Sequence, residues 1–160
     1  MEMPLIREFR ADHQRITGTL LRLQRAIQGG DLPLVRTILA GADPLLGAHF
    51  KFEERHLYPA LAGFIGADGV RKMIGEHDDV FQGVGELIGL AQRAAWTDAE
   101  HAAALESFGR LGEHPEHCDG LSRFIEQLPP SQQESLLAAM EAIRREGPAF
   151  SAYAIERRAG

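Results

Sequence analysis

The sequence predicts an all-α protein, an antiparallel up-and-down four-helix bundle with an additional C-terminal helix, and three observations lead there. Apolar residues recur at three- and four-residue steps through most of the 160 residues, the spacing of one helical face. No stretch alternates with the period of two that a half-buried strand requires. Glycine and proline interrupt the pattern only at short connections, and long helices joined by short connections pack most simply as antiparallel neighbours.

The first helix runs from Pro4 to Gln28, with Leu5, Ile6, Phe9, Ile16, Leu20, Leu23 and Ile27 on its inner face, and Gly29-Gly30 stop it. A second starts at Asp31-Pro33 and extends to about Leu61, with Asp43-Pro44 as a kink or a restart. The segment 63–69, "GFIGADG", reads as a turn. A third helix then covers Val70 to Ala95, with Met73, Val80, Val84, Leu87, Ile88 and Ala91 inward. Thr97 and Glu100 have capping-box spacing and open a fourth helix that reaches towards Leu128, where Pro129-Pro130 end it. Ser131 and Glu134 repeat that spacing and open the extra helix, about 131–147, followed by a basic tail, "IERRAG", expected to be loosely held. Residues 1–160 are read as a single domain, with the bundle over about 4–128.

Hydrophobic residues at 44% and charged residues at 25% are ordinary globular proportions. The apolar runs are too short to cross a bilayer, and "MEMPLIREFR" mixes charge into the N-terminus where a secretory signal would be apolar. A cytoplasmic location is the simplest expectation. The net charge of -6, with no basic patch interleaved with aromatics, speaks against nucleic acid. One cysteine, Cys118, excludes an intramolecular disulfide. The glycines of "GVGELIG", 83–89, follow no strand and lack dinucleotide-binding spacing, so they are read as sites of close helix packing.

The seven histidines matter through their placement. On the second helix, Glu53 lies about 40° from His49, and His56 about 20° to the other side, so one stripe carries all three. Phe52 and Leu45 flank it, which turns it towards the core. Each other helix offers one matching imidazole: His13 on the first, His77 on the third, His114 on the fourth. Any one alone reads as a core histidine satisfied by a neighbour. Several together would each cost roughly 1–3 kcal/mol if left unpaired, so a shared cation is the economical partner, taking neutral imidazole nitrogens and ionised carboxylate.

In that order and spacing the chain resembles the hemerythrin, or HHE cation-binding, family. The resemblance rests on His13 in "ADHQRI", His49 and Glu53 in "HFKFEERHLYP", His77 in "GEHDDVF", and His114 in "GEHPEHCDGL", and it spans roughly residues 5 to 128. It implies an antiparallel four-helix bundle enclosing two non-haem iron ions bridged by carboxylates, with manganese or zinc behind iron. The fourth helix departs from the pattern. Where most bacterial members carry a glutamate four residues after the histidine, this chain has Cys118, followed by Asp119. A regular helix brings Cys118 to within about 40° of His114 and leaves Asp119 about 140° away. Pro115 lacks the N–H that would bond residue 111, and a widened five-residue turn there would bring Asp119 round, as in the oxygen-carrying members. Asp119 is the favoured bridging ligand, with Cys118, His117 or no fourth-helix carboxylate at all as the alternatives.

His56 lies about 10 Å along the axis from His49 and is expected beside the site or at its entrance. Glu54 is expected to orient a histidine or meet solvent, and His101 to be exposed. Such a donor set can hold two metals and leave a coordination position open. The resemblance implies a protein that binds or senses dioxygen, nitric oxide or peroxide. Two other functions compete with it: a di-iron redox enzyme that reduces nitric oxide or peroxide or delivers iron for cluster repair, and a non-redox zinc or interaction module. A low-pKa, exposed Cys118 would favour the enzyme.

Overall fold

A computed structural model describes residues 2–112 and 114–159. Every regular element among them is helical, and there is no strand. The order is α1 (Pro4–Gln28), α2 (Leu32–Phe52), a π-helical turn (Glu53–Leu57), α3 (Tyr58–Ala91), α4 (Asp98–Gly109), α5 (His114–Asp119), α6 (Ser122–Ile125), α7 (Pro130–Glu146) and α8 (Phe150–Ala159). α1 packs along α2, α3 along α4, and α7 and α8 both lie against α2. No helix is long and apolar enough to cross a membrane.

The helix starts follow local chemistry. Asp31 caps α2 by accepting from the Leu34 N–H at 3.0 Å. Thr97 and Glu100 form the expected capping box, the threonine hydroxyl accepting the Glu100 N–H at 3.2 Å and the Glu100 carboxylate accepting the Thr97 N–H at 2.9 Å. The Ser131–Glu134 box does not form. Pro130 is already the first residue of α7, so Ser131 lies inside the helix.

Four sequence expectations are corrected. α2 passes through Pro44 without stopping and continues through the π turn into α3, so no boundary lies near Leu61. The "GFIGADG" segment is helical apart from Gly66, whose positive φ of 71° makes the kink. Ile88 points outward. The fourth helix is not continuous: α4 stops at Gly109, and α5 restarts at His114 with Pro115 in its first turn, where a missing N–H costs nothing.

The tail differs most from expectation. Gly147 adopts a left-handed conformation, φ 64°, which ends α7 and reverses the chain. The chain then crosses α2 at Gly47, where a Cβ would collide with the Pro148 carbonyl and lie 2.8 Å from the Phe150 nitrogen. Residues 150–159 follow as α8, with Phe150 and Tyr153 buried. The "IERRAG" segment is therefore helical up to Ala159 and docked on the bundle.

The apolar interior falls into two clusters. One gathers Leu23, Ile27, Val35, Phe50, Val84, Leu87 and Tyr153. The other gathers Phe9, Phe52, Leu61, Ile125, Met140 and Ile143. Burying side chains of this size is worth about 1.5–3 kcal/mol each, which anchors the polar groups between them. Of the glycines at 83–89, Gly83 packs closely, its Cβ position 2.7 Å from the Ser107 carbonyl, whereas Gly85 and Gly89 face open space.

Candidate metal centre

Glu53 is the hub. It is fully buried, and six donor atoms surround its two oxygens. Oε1 lies 2.9 Å from His49 Nε2, 3.6 Å from His13 Nε2 and 2.6 Å from Cys118 Sγ. Oε2 lies 2.9 Å from His77 Nε2, 3.5 Å from His114 Nε2 and 3.1 Å from the Tyr58 hydroxyl. The donors form two groups that share Glu53: His13, His49 and Cys118 on one side, His77 and His114 on the other. Within each group the possible ligand atoms lie within 4.8 Å of one another.

The π turn explains how Tyr58 arrives there. In a regular helix, Tyr58 would be rotated about 140° from Glu53. The turn instead bonds the Tyr58 N–H to the Glu53 carbonyl, five residues back, and so puts both side chains on one face. The widened turn that Pro115 suggested is thus found in the second segment and not in the fourth, where α5 stays α-helical.

Each inner histidine turns its second nitrogen to a carboxylate. His13 Nδ1 lies 3.2 Å from Asp119, His49 Nδ1 3.5 Å from Asp12, His77 Nδ1 2.8 Å from Glu54, and His114 Nδ1 3.0 Å from Glu76. The pattern closes on itself: Asp12 of α1 serves α2, Glu54 serves α3, Glu76 of α3 serves α5, and Asp119 of α5 serves α1. A carboxylate only accepts, so a hydrogen-bonded Nδ1 carries a proton, and such a ring can offer its Nε2 lone pair inward to a cation. That is the tautomer a metal ligand needs.

The polar atoms inside do not satisfy one another. His13 Nε2 and both nitrogens of His49 lack a hydrogen bond; the 2.9 Å approach of His49 Nε2 to Glu53 is close but misaligned. His77 Nε2 has the opposite problem, with Tyr58 Oη at 3.0 Å, Glu53 Oε2 at 2.9 Å and His114 Nε2 at 2.9 Å competing for one ring position. Buried orphans and crowded lone pairs each cost free energy. A shared cation relieves both, and the imidazole, carboxylate and thiol donors fit one.

The electrostatics agree. Burial would raise the Glu53 pKa, but the charge of His49 and then the close approach of the surrounding imidazoles hold it well below the usual carboxylate range. Burial likewise pulls His49 down, and is outweighed by Glu53 and Asp12, which push it up to about 9. A metal ion would replace that imidazolium proton as the counter-charge. Burial raises the Cys118 thiol well above its ordinary value, helped by the Glu53 charge, so Cys118 is not the exposed, low-pKa cysteine that an enzyme reading would draw on.

The expected residues are placed as follows. His13, His49, Glu53, His77 and His114 converge. Asp119, expected among the inner ligands, has a 45% exposed side chain on the outer nitrogen of His13, and Cys118 faces Glu53. Glu54 orients His77, one of its two expected roles. His117 is on the exterior, 2.8 Å from Glu76. His56 is exposed, its ring stacked 6.4 Å from Phe52 and away from the donors, because the π turn changes the helical phase after Glu53. His101 is half-buried, not exposed, and donates to the Ile27 carbonyl at 2.7 Å. The sequence reading missed Tyr58, Asp12 and Glu76. A signal for the last two existed: each outer carboxylate adjoins an inner donor in sequence, one step of about 100° around the helix.

A helical protein whose buried His, Glu and Cys donors gather from separate helices is a metal-binding bundle protein. Residues 5–119 match the sequence model of the Hemerythrin HHE cation binding domain, and the chain belongs to that family. No curated protein and no solved structure matches it.

Proposed function

We propose that the chain is a cytoplasmic di-iron protein that binds or senses dioxygen, nitric oxide or peroxide, with no nucleic acid or membrane partner. In this reading the helices form an antiparallel four-helix bundle within one domain. His13 and His49 would hold one iron and His77 and His114 the other, with Glu53 common to the two groups. A reduced iron pair would supply electron density to bound dioxygen or nitric oxide, and would be oxidised by peroxide.

The observation that carries the reading is the convergence of four imidazole Nε2 atoms on one buried carboxylate, beside an apolar cavity. The cavity, about 30 Å³, is walled by Ile16, Leu23, Ile38 and Val84 and reaches His13, His49 and His114. It has room for a molecule of diatomic size, and its apolar walls hold water poorly. Phe50 packs edge-on against His77 at 4.2 Å and gives the second group an apolar face. Tyr58 holds a hydroxyl proton between Glu53 and His77, where it can be donated to an incoming oxygen atom.

Anaerobic loading with ferrous iron should give about two irons per chain, and adding dioxygen, nitric oxide or peroxide should then produce new visible absorption. Iron uptake without a spectral response to any of the three ligands would sink the gas-binding reading. Elemental analysis of the chain purified from cells, showing zinc and no iron, would point to the non-redox module.

A further inference from the structure

The two donor groups are not alike. The His77–His114 group contains nitrogen and oxygen only, whereas the His13–His49 group includes Cys118. A buried cysteine is often inert filler, and two observations set this one apart. Its sulfur points at a carboxylate, 2.6 Å from Glu53 Oε1, and not into the aliphatic cluster behind it. The neighbouring His13 Nε2 and His49 Nε2, on side chains no more than 6% exposed, have no hydrogen bond and converge on the same point. Four residues separate Cys118 from His114, so α5 aims both side chains inward while Asp119, about 100° further round, bonds the outer nitrogen of His13.

We infer that Cys118 is a sulfur ligand of the cation held by His13, His49 and Glu53, which makes the centre asymmetric, with a thiolate-bearing site next to a sulfur-free one. The inference rests on the proposal that cations bind here. On binding, the S–H bond breaks heterolytically, its electron pair forms the sulfur–metal bond and its proton leaves to solvent, with no change of oxidation state. The soft donor shifts this site towards zinc, cobalt or ferrous iron and away from manganese, which prefers oxygen. The sulfur-free site has no such bias. The two positions should therefore fill with different affinities, and a mixed-metal centre is accessible.

The full chain, stripped of metal and titrated with cobalt(II), gives a direct test. Bound cobalt should show a near-ultraviolet sulfur-to-metal charge-transfer band in the wild-type chain, absent in Cys118→Ser. X-ray absorption of the wild-type zinc form should show a sulfur neighbour at about 2.3 Å, a measurement independent of how any variant folds. Cobalt or zinc bound without a sulfur signature in either experiment overturns the assignment while leaving the metal centre intact. A charge-transfer band that survives in Cys118→Ser also overturns it. Failure of the wild-type chain to bind cobalt, zinc or iron overturns this inference and the proposed function together.

Discussion

The four histidine–carboxylate pairs divide into two that are locked and two that are open. Asp12 and Glu54, the partners of His49 and His77, are nearly buried and held by arginines from the C-terminal helices. Arg144 of α7 donates to Asp12 at 3.0 Å. Arg157 of α8 forks onto Glu54 at 3.1 and 2.8 Å, and the Tyr153 hydroxyl adds a bond at 2.7 Å. Asp119 and Glu76, the partners of His13 and His114, have an exposed and a half-buried side chain respectively, and among the described residues no lysine or arginine pairs with either. Each metal group contains one locked and one open histidine. The family match ends at residue 119, so Arg144, Tyr153 and Arg157 of the lock come from chain beyond it, with Arg15 of α1 adding a bond to Asp12. Orientation of a ligand can thus be fixed from a segment that touches no inner donor.

The largest expected effect is on the locked side. Arg157→Ala leaves the Glu54 charge with no arginine in a mostly buried setting, which should cost about 3 kcal/mol of stability. Urea unfolding of the metal-free chain measures it, and a loss below about 1 kcal/mol would mean that the clamp is decorative. On the open side the order reverses. Asp119→Asn should leave stability within about 1 kcal/mol, as for an exposed pair, yet weaken metal binding by about 10–100-fold through the loosened His13 ring. Competition with a coloured chelator reads the affinity. Equal stability losses from the two variants would erase the distinction between locked and open.

The smallest effect concerns pH. Burial, and then the bond to Glu54, raise the Tyr153 pKa above its usual value near 10. A pKa raised by folding contributes stability that is complete below the unfolded value and is lost as pH rises towards the folded one. The wild-type chain should therefore lose stability above about pH 10 more steeply than Tyr153→Phe, which should itself be about 1 kcal/mol less stable at neutral pH. Denaturant midpoints at stepped alkaline pH test this. Parallel curves for the two chains would remove Tyr153 from the lock.

Much of the inner site was legible because it depends on spacing within one helix. His49 and Glu53 share a face by periodicity alone, and His13, His77 and His114 each fall on an inward stripe. Tyr58 was hidden by a single extra residue in the turn at Glu53–Leu57, which no periodicity announces. The same phase change moved His56 off the stripe on which a regular helix would keep it. The tail misled for a different reason: "IERRAG" is basic and polar, and its order comes from Arg157 finding Glu54, Asp78 and the face of Phe81, all distant in sequence.

By itself the sequence determined an all-helical chain, its principal breaks, and five donors arranged to face inward, since each follows from rotation per residue and from the chemistry of the breaks. Only the tertiary structure decided which carboxylate orients which imidazole, that Cys118 and not Asp119 faces Glu53, and that two C-terminal arginines lock half of the ring. Those outcomes are settled between helices, where the controlling quantity is which side chain of a neighbour lies within about 3 Å.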